Sequence, residues 1–234
     1  MDRRLLAAAL VGLGLCSAPV GRAQAPAAAG QRAEAARSAA LAAPDVTGGA
    51  SLNTALKERR SVRDLADSAL SAHELAQLCW ALQGITDDKG HRTAPSAMAT
   101  YPLEVYVFVG RVTGVDPGLY RYSPQGHSLT LLQAGDSRAA FVDQAVGQAW
   151  TKTAPAIFVI TQTASRVARA GTVKGERYAW IEAGLAAENF LLEAVSLNLG
   201  STFVGGFKDE EVSRFLKLPA GEQPIAVLPV GHKK

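Results

Sequence analysis

The chain has 234 residues, 48% of them hydrophobic and 19% charged, with a formal net charge of +3. That length suits one domain with a real core. The weak charge argues against a nucleic-acid surface: there is no basic stripe and no RNP, zinc-finger or helix-turn-helix pattern.

Residues 1–23 read as a targeting segment. Arg3 and Arg4 form a charged n-region, and Leu5 to Leu15 is an apolar stretch too short to span a bilayer as a mature helix. Small residues follow, and cleavage is expected after Ala23, which leaves a net charge of about +1. The expected product is exported, in a bacterial periplasm, with no transmembrane segment in the mature protein. Asp2-Arg3-Arg4-Leu5-Leu6 resembles a twin-arginine signal, the route for folded cargo; a general secretory signal that happens to hold two arginines is the alternative. Cys16 falls in the leader. Cys79 is then alone, which excludes an intramolecular disulfide, and it reads as a packing residue. Residues 24–50, rich in Ala, Gly, Pro and Gln, read as a flexible linker ahead of a domain over 51–234.

Leu52 to Glu58 forms a short helical pattern that closes on Arg59-Arg60-Ser61-Val62-Arg63. Three guanidiniums within five residues make a candidate phosphate clamp, because their planar forks match oxyanions at two points. Ser71 and Glu74 make a capping box that opens a helix through Gln83, ended by Gly84. A loop over 86–102 precedes a strand at Leu103 to Val109. Gly118–Tyr122 and Ser128–Leu132 predict a hairpin about residues 124–127. Arg138 to Ala149 reads as helix and Ala156 to Thr161 as a buried strand. Arg177 to Leu197 is the longest helix. A strand at Ser201 to Val204 leads into Gly205-Gly206, followed by a helix at Lys208 to Leu216 and a last strand at Pro224 to Val230. This order predicts an α+β fold. Trp150, Trp180 and Tyr101 read as core or pocket wall. The histidines share no metal-ligand spacing, so no metal is expected.

Four segments line up in order: Arg59 to Arg63, Arg92 to Ala97, Gly205-Gly206-Phe207 and Pro229-Val230-Gly231. With Glu182 to Asn189 they resemble the FMN-dependent nitroreductase family over about residues 52 to 232. Arg92 to Tyr106 and Pro117 to Tyr122 resemble its SagB-type oxidoreductase branch most closely. The resemblance implies an α+β homodimer, a mixed sheet flanked by helices, and FMN at the subunit interface. It places Arg59, Arg60 and Ser61 at the FMN phosphate and Arg63 near flavin N1 and O2. Pro95, Ser96 and Ala97 are implied to reach the ring from the partner subunit, and Gly205 and Gly206 to approach N5 by their backbone. Glu182, Glu188 and Asn189 are polar among apolar neighbours and are candidates to bond across the dimer or near the site.

Three positions depart from the family pattern. Ala99 stands where many members have asparagine, Leu185 where the branch often has histidine, and Lys233 or Lys234 would have to supply a late basic residue. The implied activity is ping-pong electron transfer through flavin N5 to a small-molecule substrate, by nitro or quinone reduction or by SagB-type dehydrogenation. NAD(P)H is the conventional donor but is expected to be scarce outside the cytoplasm. A non-catalytic flavin- or ligand-binding protein on the same fold is the alternative. No side-chain general base is identifiable.

Overall fold

A computed structural model describes residues 38–234; the expectations for residues 1–37 lie outside the described residues. The fold is α+β, built on a seven-stranded sheet in the order β1-β6-β5-β3-β7-β9-β8. The strands are β1 (Ser38–Ala40), β3 (Leu103–Val109), β5 (Gly118–Ser123), β6 (Ser128–Ala134), β7 (Ala156–Thr163), β8 (Leu199–Ser201) and β9 (Glu222–His232). Two short strands, β2 (Leu70–Ser71) and β4 (Val112–Thr113), pair apart from it. The helices are α1 (Leu52–Glu58), α2 (Ala72–Gln83), α3 (Arg138–Phe141), α4 (Thr172–Ser196) and α5 (Asp209–Leu216).

The sheet is flanked by helices as expected, and every strand pair within it is antiparallel. Residues 124–127 join β5 to β6 in a tight turn, which can only return a strand antiparallel, and a longer connection carrying β4 joins β3 to β5. Among the described residues, parallel pairing is confined to β2 with β4 and to a single Ser61–Ser201 bridge.

The central strands bury both faces, which explains their near-continuous apolar runs. Val105, Val107 and Val109 of β3 join a core with α2 and α4, whereas Tyr106 and Phe108 join a second core with Phe141 and α5. The capping box at α2 is formed on both sides, Ser71 with the Glu74 backbone and Glu74 with the Ser71 backbone.

Four boundaries differ from expectation. Residues 38–50 are not a free tether: β1 pairs with β6, and buried Gln77 bonds both backbone groups of Asp45, at 2.7 and 3.0 Å. These contacts use the linker's backbone, so its composition does not signal them. The helix at Arg138 turns π-helical over Val142–Val146 and stops at Gly147, whose φ of 70° ends it. α4 begins at Thr172, ahead of the expected Arg177, and runs through Gly175. β8 ends at Ser201, and Val204 makes only an isolated bridge to Val227.

Candidate functional site

The arginine run leaves α1 as a strap laid along β8. Ser61 bridges Ser201, the Val62 N–H donates to the Ser201 carbonyl at 2.9 Å, and Thr202 Oγ1 donates to the Val62 carbonyl at 2.7 Å. Farther on, the Ala66 N–H donates to the His232 carbonyl at 2.8 Å, and Lys234 Nζ pairs with Asp64 Oδ1 at 2.8 Å. Lys234, a candidate late basic residue, is thus tied to the residue that follows Arg63 in the strap. The strap's backbone is held at both ends, while its side chains fan out. Arg59 Nε lies 3.6 Å from Glu188 of α4. Arg60 folds back, and its Nη1 donates to the carbonyls of Lys57 and Arg59 at 2.9 and 2.7 Å, capping the end of α1. Arg63 lies over the Trp150 ring at 5.9 Å from its centre. Ser61 and both Arg60 and Arg63 are exposed.

Trp150 carries this line to the glycine pair. Its Nε1 donates to Gln148 Oε1 at 3.2 Å, and Gln148 Nε2 donates to the Gly206 carbonyl at 3.2 Å. Gln148 therefore fixes the orientation of that peptide. Gly205 and Gly206 are exposed, and a Cβ on Gly206 would meet only Gln148 Nε2, at 3.8 Å. The backbone here borders open space that a flat ring could approach. Sequence reasoning did not find Gln148: it falls within the helix expected over Arg138 to Ala149, whereas the helix ends at Gly147.

Pro95, Ser96 and Ala97 sit elsewhere. Their segment runs along α4, with Asn189 Nδ2 donating to the Thr93 carbonyl at 3.0 Å and the Ala97 N–H donating to Glu182 Oε1 at 2.7 Å. The Tyr101 N–H donates to Ser96 Oγ at 2.8 Å. Glu182, Glu188 and Asn189 each have a partner within their own chain. Burial raises the Glu182 carboxyl above its ordinary pKa, and hydrogen bonds from Ala97 and Ser96 oppose that shift. Among the described residues, no hydrogen bond or ion pair links residues 95–97 to the strap or to Gly205 and Gly206.

The same loop is strained. Met98, Ala99 and Tyr101 have φ of 56°, 52° and 46°, a region that costs an ordinary residue roughly 1–2 kcal/mol. Such outliers persist where surrounding contacts hold them. Here Arg92 stacks on the Tyr101 ring at 4.1 Å, and Arg166 Nη1 donates to the Tyr101 carbonyl at 3.2 Å. Burial lowers the pKa of Arg92.

One face of α4 is bare and apolar. Trp180, expected as core or pocket wall, is 53% exposed, and Ile181 and Leu185 lie exposed beside it. Exposed Leu52 and Leu56 of α1 add to the apolar surface. Gly184 lies within the α4 stripe, with nothing within 4 Å of where its Cβ would be.

An antiparallel sheet flanked by helices, with an arginine strap linked through Trp150 and Gln148 to an open glycine pair, defines an α+β domain. The model of the nitroreductase family matches residues 56–232, and the chain belongs to that family. It is 39% identical over 182 residues to a protein of Methanocaldococcus jannaschii named as a putative nitroreductase, spanning 78% of this chain and 91% of that one. A crystal structure from Ralstonia eutropha with the same description shares 30% identity and a TM-score of 0.75, covering 85% of this chain and 90% of the other. The Escherichia coli microcin synthetase complex contains a chain of like fold, with a TM-score of 0.65, 18% identity and coverage of 83% and 77%. The chain is thus a nitroreductase-type oxidoreductase.

Proposed function

We propose that the protein is an exported, FMN-dependent oxidoreductase that acts as a homodimer on a small-molecule substrate. The observation that carries this reading is the continuous line from the strap through Trp150 and Gln148 to Gly206. The donor set fits FMN. Exposed Arg60 and Ser61 and half-buried Arg59 offer charged and hydroxyl donors for a phosphate, and the Gly205–Gly206 backbone leaves room for a ring. Arg63 would face the side of the ring that gains negative charge on reduction. When bound, FMN supplies reversible hydride exchange at N5; the protein supplies binding, orientation and charge.

The bare apolar face of α1 and α4 supports a second copy as its cover, because apolar patches of this kind mark interfaces. Gly184 supports close approach there, since glycine costs a helix interior about 1 kcal/mol unless packing needs it. In that dimer, Pro95, Ser96 and Ala97 of the partner subunit would complete the site. This accounts for their separation from the strap within one chain. The leader over residues 1–23 would deliver the folded, flavin-loaded protein to the periplasm. Nitro or quinone reduction and SagB-type dehydrogenation are both open to this site, with NAD(P)H as the donor to test first.

The experiment is direct. Purified protein should be yellow and release FMN on denaturation. A colourless protein that takes up no FMN overturns the reading and leaves a ligand-binding role without redox chemistry. Anaerobic NADH or NADPH should bleach the flavin; a bound flavin that neither bleaches points to the dehydrogenase direction.

A further inference from the structure

Arg92 belongs to a second basic cluster that the flavin reading does not use. A cleft of about 470 Å³ opens where β3, β5 and β6 meet the loop after β7, lined among others by Arg92, Glu104, Arg121 and Arg166. That volume falls in the range of small-molecule sites. Glu104 is the only acid in the lining, against three guanidiniums. It accepts from Arg121 Nε at 3.0 Å through one oxygen and from Arg166 Nη2 through the other. Each carboxylate oxygen is thereby engaged by one guanidinium, and against three guanidiniums two positive charges remain over.

The donors are not spent. A guanidinium has five N–H groups, and among the described residues Arg121 gives only its Nε to a protein acceptor. Arg92 gives Nη1 to Gln83 Oε1 at 2.8 Å and rests on Tyr101 without an acid of its own. The arginines are also pre-set. Arg92 is stacked, Arg166 is tied to the Tyr101 carbonyl, and Arg121 is fixed to Glu104, whose side chain is only 11% exposed. Side chains already ordered lose less entropy on binding.

We propose that this cleft binds a small molecule bearing an oxyanion, a carboxylate or a phosphate, held by Arg92, Arg121 and Arg166, with Glu104 as the group that spaces them. The site stands independently of the flavin reading and of the strap.

Isothermal titration of the full chain with inorganic phosphate and, separately, with malonate tests the proposal. Saturable one-to-one binding of at least one is expected, and the tighter of the two identifies the group recognised. Arg121→Gln should weaken it about tenfold, the loss of a charge-assisted contact. Glu104→Gln keeps an acceptor for Arg121 but removes the repelling charge. It should tighten binding roughly three- to tenfold, a change of sign that a purely structural ion pair would not produce. Arg60→Ala should leave this binding unchanged. No saturable binding of either anion, binding lost with Arg60→Ala but kept with Arg121→Gln, or no tightening with Glu104→Gln would each overturn the proposal.

Discussion

Gly200→Ala is a one-carbon test of how the strap is held. A Cβ at position 200 would lie 2.6 Å from Val62 Cγ1, 2.9 Å from Val62 Cβ and 3.1 Å from Lys233 Cγ. Nonbonded carbons settle at about 3.5–4.0 Å, so close to 1 Å of space must be found. Lys233 can swing aside. A χ1 rotation of Val62 would move Cγ1 but not Cβ, which follows the backbone. That backbone is tied to Ser201 and Thr202, so relief means peeling the strap from β8. Overpacking of this kind costs about 1–3 kcal/mol. For a domain of this size it lowers Tm by roughly 3–10 °C. The assay is thermal unfolding combined with FMN loss on dialysis. A control of similar size is Ser71→Ala, which breaks the capping box for about 1 kcal/mol but should keep the flavin. Gly200→Ala melting with the wild type, or losing no more flavin than Ser71→Ala, refutes the idea that strap position governs retention.

Arg60→Ala should weaken FMN retention by about tenfold, as expected for a charge-assisted contact. Arg63→Ala should lower the flavin reduction potential by on the order of 30 mV, measured by dye equilibration; an effect of both on retention alone would remove Arg63 from the ring. Ala99→Gly should stabilise the fold by about 1 kcal/mol in urea unfolding, because its φ of 52° favours glycine; a loss of stability would mean that the methyl packs. The Glu182 carboxyl has its folded pKa raised by burial. Its contribution to stability is therefore full below the unfolded value and lost as pH rises through the folded one. Wild-type stability relative to Glu182→Gln should accordingly fall across the acid range and then level, and a difference independent of pH would contradict this. Ile181→Arg should shift the protein from dimer to monomer by sedimentation velocity while preserving its circular dichroism; an unchanged sedimentation coefficient would place the interface elsewhere.

Local signals told most of the fold. The capping box at Ser71 and Glu74, the β3 run and the hairpin about residues 124–127 each depend on residues close in sequence, and all three appear in the structure. The misses are nonlocal or lie in backbone. β1 is held by pairing with β6, and Asp45 after it by a glutamine 32 residues away, so nothing in the Ala-rich composition announces either. The strap was readable as a charge cluster, but not its anchoring, which depends on a glycine in β8 lacking a Cβ. The left-handed run at Met98, Ala99 and Tyr101 was hidden because none of these residues is glycine or asparagine, the types that would have flagged it.

The strap also sets an order of events. The Val62 carbonyl accepts from the Thr202 hydroxyl 140 positions later, and the Ala66 N–H donates to a carbonyl of β9. On an emerging chain the arginines therefore appear early but stay unanchored until β8 and β9 have left the ribosome. A cofactor held through them, as proposed, could be captured stably only after that point, so its loading would be coupled to completion of the domain rather than to the appearance of its binding motif. Under the proposed export, acquisition of the flavin would then report that the domain had finished folding.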